Sequence, residues 1–74
     1  MVSVQVFSKS SGKPVASGRK VTVIFKGLLR GHTTAYTDGT GTAHLDADPG
    51  TGDVFVSGSK VYSGPIKGLV RVHA

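Results

Sequence analysis

Cysteine, tryptophan, glutamate and asparagine are all missing from this sequence. Without cysteine there is no disulfide framework, no thiolate zinc site and no thiol nucleophile, and nothing reports on the redox state of the compartment. Without glutamate, and with no run of Ala, Leu, Lys and Gln, the strongest helix-forming stretches are absent as well. No apolar run approaches the roughly 20 residues of a membrane-spanning helix, so no membrane partner is expected. The opening Met1-Val2-Ser3-Val4-Gln5-Val6 lacks the basic and apolar regions of a signal peptide. The expectation is a soluble chain whose compartment is left open, with the cytoplasm as default.

What is present is valine, threonine and eleven glycines among 74 residues, a composition suited to short strands joined by tight turns. The length supports one domain, residues 1–74, and one modest core, because so small a domain buries only about 60% of its unfolded surface. A core of that size leaves a thin margin, which small proteins commonly widen with a partner surface. The formal net charge is +5, and it is segmented. Six of the cations lie between Lys9 and Arg30, three more are Lys60, Lys67 and Arg71, and all four aspartates fall between Asp38 and Asp53. The simplest role for such lysines is to keep β-prone segments in solution, while a basic surface also suits an acidic partner.

Period-2 alternation marks the strands. Val2, Val4 and Val6 alternate with Ser3, Gln5 and Phe7, and the turn residues Ser8 to Pro14 end that run. Arg19 to Lys26, the most β-prone segment, predicts a central strand. Further strands are predicted over His32 to Thr37, Thr42 to Asp46, Asp53 to Ser57 after the turn-rich Asp48-Pro49-Gly50-Thr51-Gly52, a short one at Lys60 to Tyr62, and Leu69 to His73. Val4, Val6, Val21, Val23, Ala43, Leu45, Val54, Val56, Val70 and Val72 are expected to face inward. Many short strands with frequent turns predict an all-β sandwich or small barrel.

The stretch Thr37-Asp38-Gly39-Thr40-Gly41-Thr42-Ala43-His44-Leu45 sets an acid, two glycines and a histidine side by side. No helix follows to present a phosphate-binding N-terminus, the glycine spacing matches neither phosphate-binding fingerprint, and Asp38 alone makes no calcium loop. Asp-Gly followed by Gly is what a reversing chain needs, so the stretch reads as a hairpin between the third and fourth strands. A three-residue loop from Asp38 to Thr40 then places His32 opposite Asp46, Thr34 opposite His44 and Tyr36 opposite Thr42 on a polar outer face; a two-residue loop would turn His32, Thr34 and Tyr36 inward instead.

Val4-x-Val6, Gly12-Lys13-Pro14-Val15, Val21-x-Val23, Tyr36-Thr37-Asp38-x-x-Gly41-x-Ala43-x-Leu45 and Gly52-x-Val54-x-Val56 follow one another in an order that resembles the carboxypeptidase-regulatory-like and transthyretin-like (prealbumin-like) domains. The likeness spans about residues 4 to 57. It implies a small Greek-key β-sandwich of about seven short strands, Ig-like or transthyretin-like, that serves as an accessory or binding module. The hydroxyisourate-hydrolysing relatives end in Tyr-Arg-Gly-Ser, whereas this chain ends in Arg71-Val72-His73-Ala74, so that activity is not carried over.

No serine lies in a nucleophile-elbow pattern and no His-x-x-x-His pair occurs, so no catalytic residue, no metal ligand and no cofactor is expected. Asp46, Asp48 and Asp53 flank a turn and suit turn and strand-end roles better than a calcium site. The expected function is structural or protein-interacting, through pairing of the uncharged first strand with another chain or a second copy, as a weak homo-oligomer. Leu28 and Leu29 would add an apolar contact. The segments Lys26 to His32 and Lys67 to His73 agree at five of seven positions, which suggests a stripe of Arg30, His32, Arg71 and His73 able to hold an anion. The alternative function is a basic surface for nucleic acid or another polyanion, less favoured because Phe7, Phe25 and Phe55 are expected in the core, where they are lost to base stacking.

Overall fold

The computed structural model describes residues 1–26 and 31–74. Their regular structure is seven strands and no helix: β1 (Val2–Phe7), β2 (Lys20–Phe25), β3 (His32–Tyr36), β4 (Thr42–Leu45), β5 (Gly50–Val56), β6 (Ser59–Ile66) and β7 (Leu69–His73). They form a three-stranded sheet in the order β4-β1-β7 and a four-stranded sheet in the order β3-β2-β5-β6. Every pairing is antiparallel except that of β1 with β7, which is parallel.

Alternation dictates what lies between the sheets, since successive side chains of a strand point to opposite faces. Val2, Val4, Val6, Ala43, Leu45, Val70 and Val72 from the first sheet meet Val21, Val23, Phe25, Val54, Val56 and Ile66 from the second in one buried cluster. All ten residues expected inward are in it. Ile66 enters because β6 continues well past Tyr62 to Ile66, with Pro65 tolerated on an edge strand that needs no second ladder. β6 also carries one extra residue: Phe55 pairs with Lys60 but Val54 with Tyr62. The extra residue, Val61, lets both it and Tyr62 pack against the core.

β5 starts at Gly50, inside what reads as a turn. The reason is Gly52, which pairs with both Phe25 and Gly64. A Cβ on Gly52 would land on the Ile24 carbonyl oxygen and 3.0 Å from Phe25 Cα, so this glycine serves close strand approach rather than reversal. The β5–β6 reversal falls instead at Ser57-Gly58, both with positive φ (51° and 89°), as a two-residue hairpin of the type I′ kind requires.

Three expectations are corrected by this architecture. The Asp38 stretch is a tight turn, but β3 and β4 do not pair; it carries the chain from one sheet to the other, because β3 finds its ladder on β2 and β4 on β1. Neither proposed β3–β4 register exists, although the faces follow the three-residue reading, with Thr33 and Ala35 half-buried and His32, Thr34 and Tyr36 exposed. Second, β1 is no edge: it is hydrogen-bonded between β4 and β7, so it has no open side for another chain. Third, only Phe25 belongs to the core; Phe7 and Phe55 are half-buried on outer faces, where the alternation that buries Val6 and Val54 puts them.

Candidate functional site

The turn after β3 is held by one carboxylate. Asp38 Oδ1 accepts from the Thr40 backbone N–H at 2.8 Å, the Thr40 hydroxyl at 2.6 Å and the Thr42 backbone N–H at 3.2 Å. These bonds favour the charged form, with the Thr40 hydroxyl the largest contributor, and lower the carboxyl from 3.8 to about 2. The loop closes further through Asp38 N–H to the Thr42 carbonyl at 2.9 Å, and Gly41, at φ 76°, turns its carbonyl to the N–H of Val6 at 2.8 Å. The last bond delivers the chain to β1 and thus starts β4 in the other sheet.

The same turn assembles a contact absent from the sequence reasoning. Ser3 and His44 are directly opposite on β1 and β4, with Ser3 Oγ 3.0 Å from His44 Nδ1, and His44 Nε2 lies 3.3 Å from Asp38 Oδ2. The connectivity is serine, histidine, aspartate. A nucleophile needs a cleft with oxyanion donors and an acid free to orient the imidazole. Here Asp38 spans both, Oδ1 holding the turn and Oδ2 meeting His44, and the His44 and Asp38 side chains are 56% and 46% exposed rather than set in a cleft. The arrangement ties strand to turn. Only the period-2 face of Ser3 and His44 foreshadowed it, and the pairing of β1 with β4 was needed to see it.

The expected contact residues are dispersed. Leu28, Leu29 and Arg30 lie outside the described residues. His32 is exposed at the edge of the four-stranded sheet, whereas Arg71 and His73 are exposed on β7 in the three-stranded one. His32 is therefore not a sheet neighbour of Arg71 and His73 and joins no stripe with them. His73 instead stacks on Phe7, its partner across the parallel pair, with ring centroids 5.6 Å apart.

His32 and Asp46 line the same small groove of about 350 Å³ with Asp48, but the histidine that comes within 4 Å of an aspartate carboxylate is His44, at Asp38, rather than His32 at Asp46. Asp53 lies mid-strand in β5, away from that groove. The Ser63 hydroxyl, then the charges of Lys60 and Lys26, hold its carboxyl below the usual range against a burial that pushes it up, while Oδ1 is buried without a hydrogen-bond partner. Among the described residues no three His or Asp side chains gather as a metal site would.

A larger concavity lies elsewhere. A groove of about 570 Å³ opens where the end of β1, the segment before β2, the β5–β6 hairpin and the end of β7 come together. Val15, Val56 and Val61 supply apolar lining, Lys9, Arg19 and Lys60 supply charge, and none of the four aspartates lines it. Sequence reasoning assigned these cations to solubility, because their convergence depends on which strand ends share one pole of the sandwich.

Comparison with known proteins adds no relative: no family model matches the chain, no curated protein is similar to it, and no solved structure matches its fold.

Proposed function

We propose that this chain is a non-catalytic, partner-binding β-sandwich module of the Greek-key kind formed by carboxypeptidase-regulatory-like and transthyretin-like domains. The strand partition supports the transthyretin-like form over the immunoglobulin one. An immunoglobulin constant domain would place the first, second, fourth and fifth strands in one sheet, whereas here β1 and β4 are separated from β2 and β5.

The observation that carries the reading is the unequal size of the sheets. Three strands face four, and among the described residues β7 ends the smaller sheet with no strand beyond it. Ser3 N–H donates to the Gly68 carbonyl and Ala74 N–H to the Phe7 carbonyl, both within 2.9 Å. The even-numbered residues of β7 therefore bond to β1, and the backbone groups of Leu69, Arg71 and His73 face the open edge. That edge has neither proline nor bulge, and Leu69 on it is 49% exposed. β6, by contrast, is blunted by the extra residue at Val61 and by Pro65. The partner is an extended segment of another chain, most simply a second copy, adding a strand beside β7. Sedimentation equilibrium tests this: self-association at high concentration should vanish in Arg71→Pro, which removes an edge N–H but no bond to β1. A strict monomer in both proteins, or undiminished association in the variant, overturns self-pairing at this edge.

A second reading, a surface for nucleic acid or another polyanion, is favoured by the placement of the aromatic side chains. Tyr36 (62% exposed), Ile24 (45%) and half-buried Phe55 share the outer face of the four-stranded sheet with Lys20 and Lys60. Stacking platforms among cations are what single-stranded nucleic acid uses. Titration with a single-stranded oligonucleotide at low and moderate salt separates the readings: a salt-steep affinity lost on Tyr36→Ala supports this one, and no binding at low salt rejects it.

A further inference from the structure

The groove at the pole of the sandwich has properties that neither a strand-pairing edge nor a flat sheet face requires. Its volume of about 570 Å³ falls within the range of small-molecule sites. Its lining combines a floor of Val15, Val56 and Val61 with Lys9, Arg19 and Lys60, and no aspartate is among the lining residues. Such a combination fits a ligand with two chemical ends.

Its walls are held in place by hydrogen bonds of the backbone. Buried Thr37 clamps the segment before β2: its hydroxyl donates to the Ala16 carbonyl at 2.8 Å and accepts from the Arg19 N–H at 3.0 Å. Its backbone N–H reaches the Arg19 carbonyl at 2.9 Å, and its carbonyl accepts from Gly18 at 2.8 Å. On the second wall, Ser57 N–H donates to the Lys20 carbonyl at 2.9 Å, pinning the β5–β6 hairpin to the start of β2. On the third, Lys9 N–H donates to the Ala74 carbonyl at 2.9 Å, joining the end of β1 to the end of β7. A site whose backbone is already ordered loses less entropy on binding.

We propose that this groove binds a small organic anion, a carboxylate, sulfonate or phosphate ester with an apolar body. The body rests on Val15, Val56 and Val61, and the acid group is met by Arg19 with Lys9 and Lys60. Arg19 is the principal contact, because its guanidinium offers a planar fork of donors to an oxyanion and its backbone is fixed on both sides by Thr37. Lys60 also faces Asp53, whose carboxyl its charge helps keep ionised, so it contributes less.

The probe is 8-anilinonaphthalene-1-sulfonate, which joins an aromatic body to one acid, with N-phenyl-1-naphthylamine as the same ring system lacking the acid. Fluorescence titration gives affinity, and amide NMR spectra of the same samples give both the site and the folded state. The expected result is saturable one-to-one binding of the sulfonate, with shifts at residues 15–19 and 56–61 and much weaker binding of the amine. Arg19→Gln should weaken the sulfonate about three- to tenfold, and the triple Lys9, Arg19, Lys60→Gln variant should weaken it further. All three positions are exposed, so the variants keep the core intact. The proposal is overturned if the shifts fall outside the groove, if amine and sulfonate bind alike, or if the triple variant binds as the parent does. Displacement of the sulfonate by an oligonucleotide with a steep salt dependence would assign the cations to a polyanion instead and also overturn it.

Discussion

The chain's two isoleucines form a matched test of the packing. Ile24 lies in the most β-prone segment, yet it is 45% exposed on the outer face of β2; Ile66 follows a proline on an edge strand, yet it is 0% exposed. Ile66→Ala removes three carbon atoms from a closed environment, losing roughly 0.8 kcal/mol per buried methylene together with a cavity term, and Ile→Ala at such sites costs about 2–5 kcal/mol. Ile24→Ala loses half-exposed area and some strand propensity, at most about 1 kcal/mol. Total stability for 74 residues is of the order of 4–11 kcal/mol, so the first change consumes a large share of it and the second does not. Urea denaturation followed by circular dichroism reads both: with m near 1 kcal/mol/M, the Ile66→Ala midpoint should fall by about 2 M or more and that of Ile24→Ala by less than about 1 M. Ile66→Val, at about 0.5–1.5 kcal/mol, keeps the comparison measurable if the alanine variant is too unstable. Equal costs at the two positions would mean that β6 does not bring Ile66 into the core, and the reasoning that extends this strand past Tyr62 would fail.

Gly52→Ala should cost at least about 1–3 kcal/mol by overpacking, because the new Cβ meets the β2 backbone at Ile24 and Phe25, which no rotamer change relieves; thermal unfolding at the parent's stability would refute that contact. Thr37→Val removes a buried hydroxyl that both donates and accepts, and the stranded Ala16 carbonyl and Arg19 N–H should cost about 1–3 kcal/mol, read from denaturant midpoints and from amide shifts at residues 16–19. Asp38 has a folded pKa of about 2 against an ordinary 3.8, so its stabilisation is fully present above pH 3.8 and is lost as pH falls through about 2. The stability gap between the parent and Asp38→Asn should therefore narrow from pH 4 to pH 2; a gap independent of pH across that window would show that the carboxylate does not hold the turn.

What the sequence determined by itself is everything that depends on a residue and its near neighbours. Val2-Ser3-Val4-Gln5-Val6 states its own alternation, and the face of each side chain follows from the pleat whichever strand lies alongside, so the valine core was legible before any pairing was known. Turn chemistry was legible for the same reason: Asp38 bonds forward to Thr40 and Thr42 across no more than four residues. The same alternation places Phe7 and Phe55 outward, against the general preference of phenylalanine for the core.

Only the tertiary structure decided which strands pair. A tight turn serves equally a hairpin and a step between sheets, and nothing between Thr37 and Leu45 distinguishes them; the choice was made by residues more than 30 positions away, when Val6 offered its N–H to Gly41 and Ser3 Oγ met His44 Nδ1. The same holds for β1, an inviting edge in isolation and a fully paired central strand once β7 lies parallel to it. It holds also for the groove: Lys9, Arg19 and Lys60 are scattered along the chain and meet only because four strand ends share one pole. Local sterics act along the backbone and can be read in order, whereas sheet order minimises exposed apolar surface over all the strands at once, and that sum has no local signature.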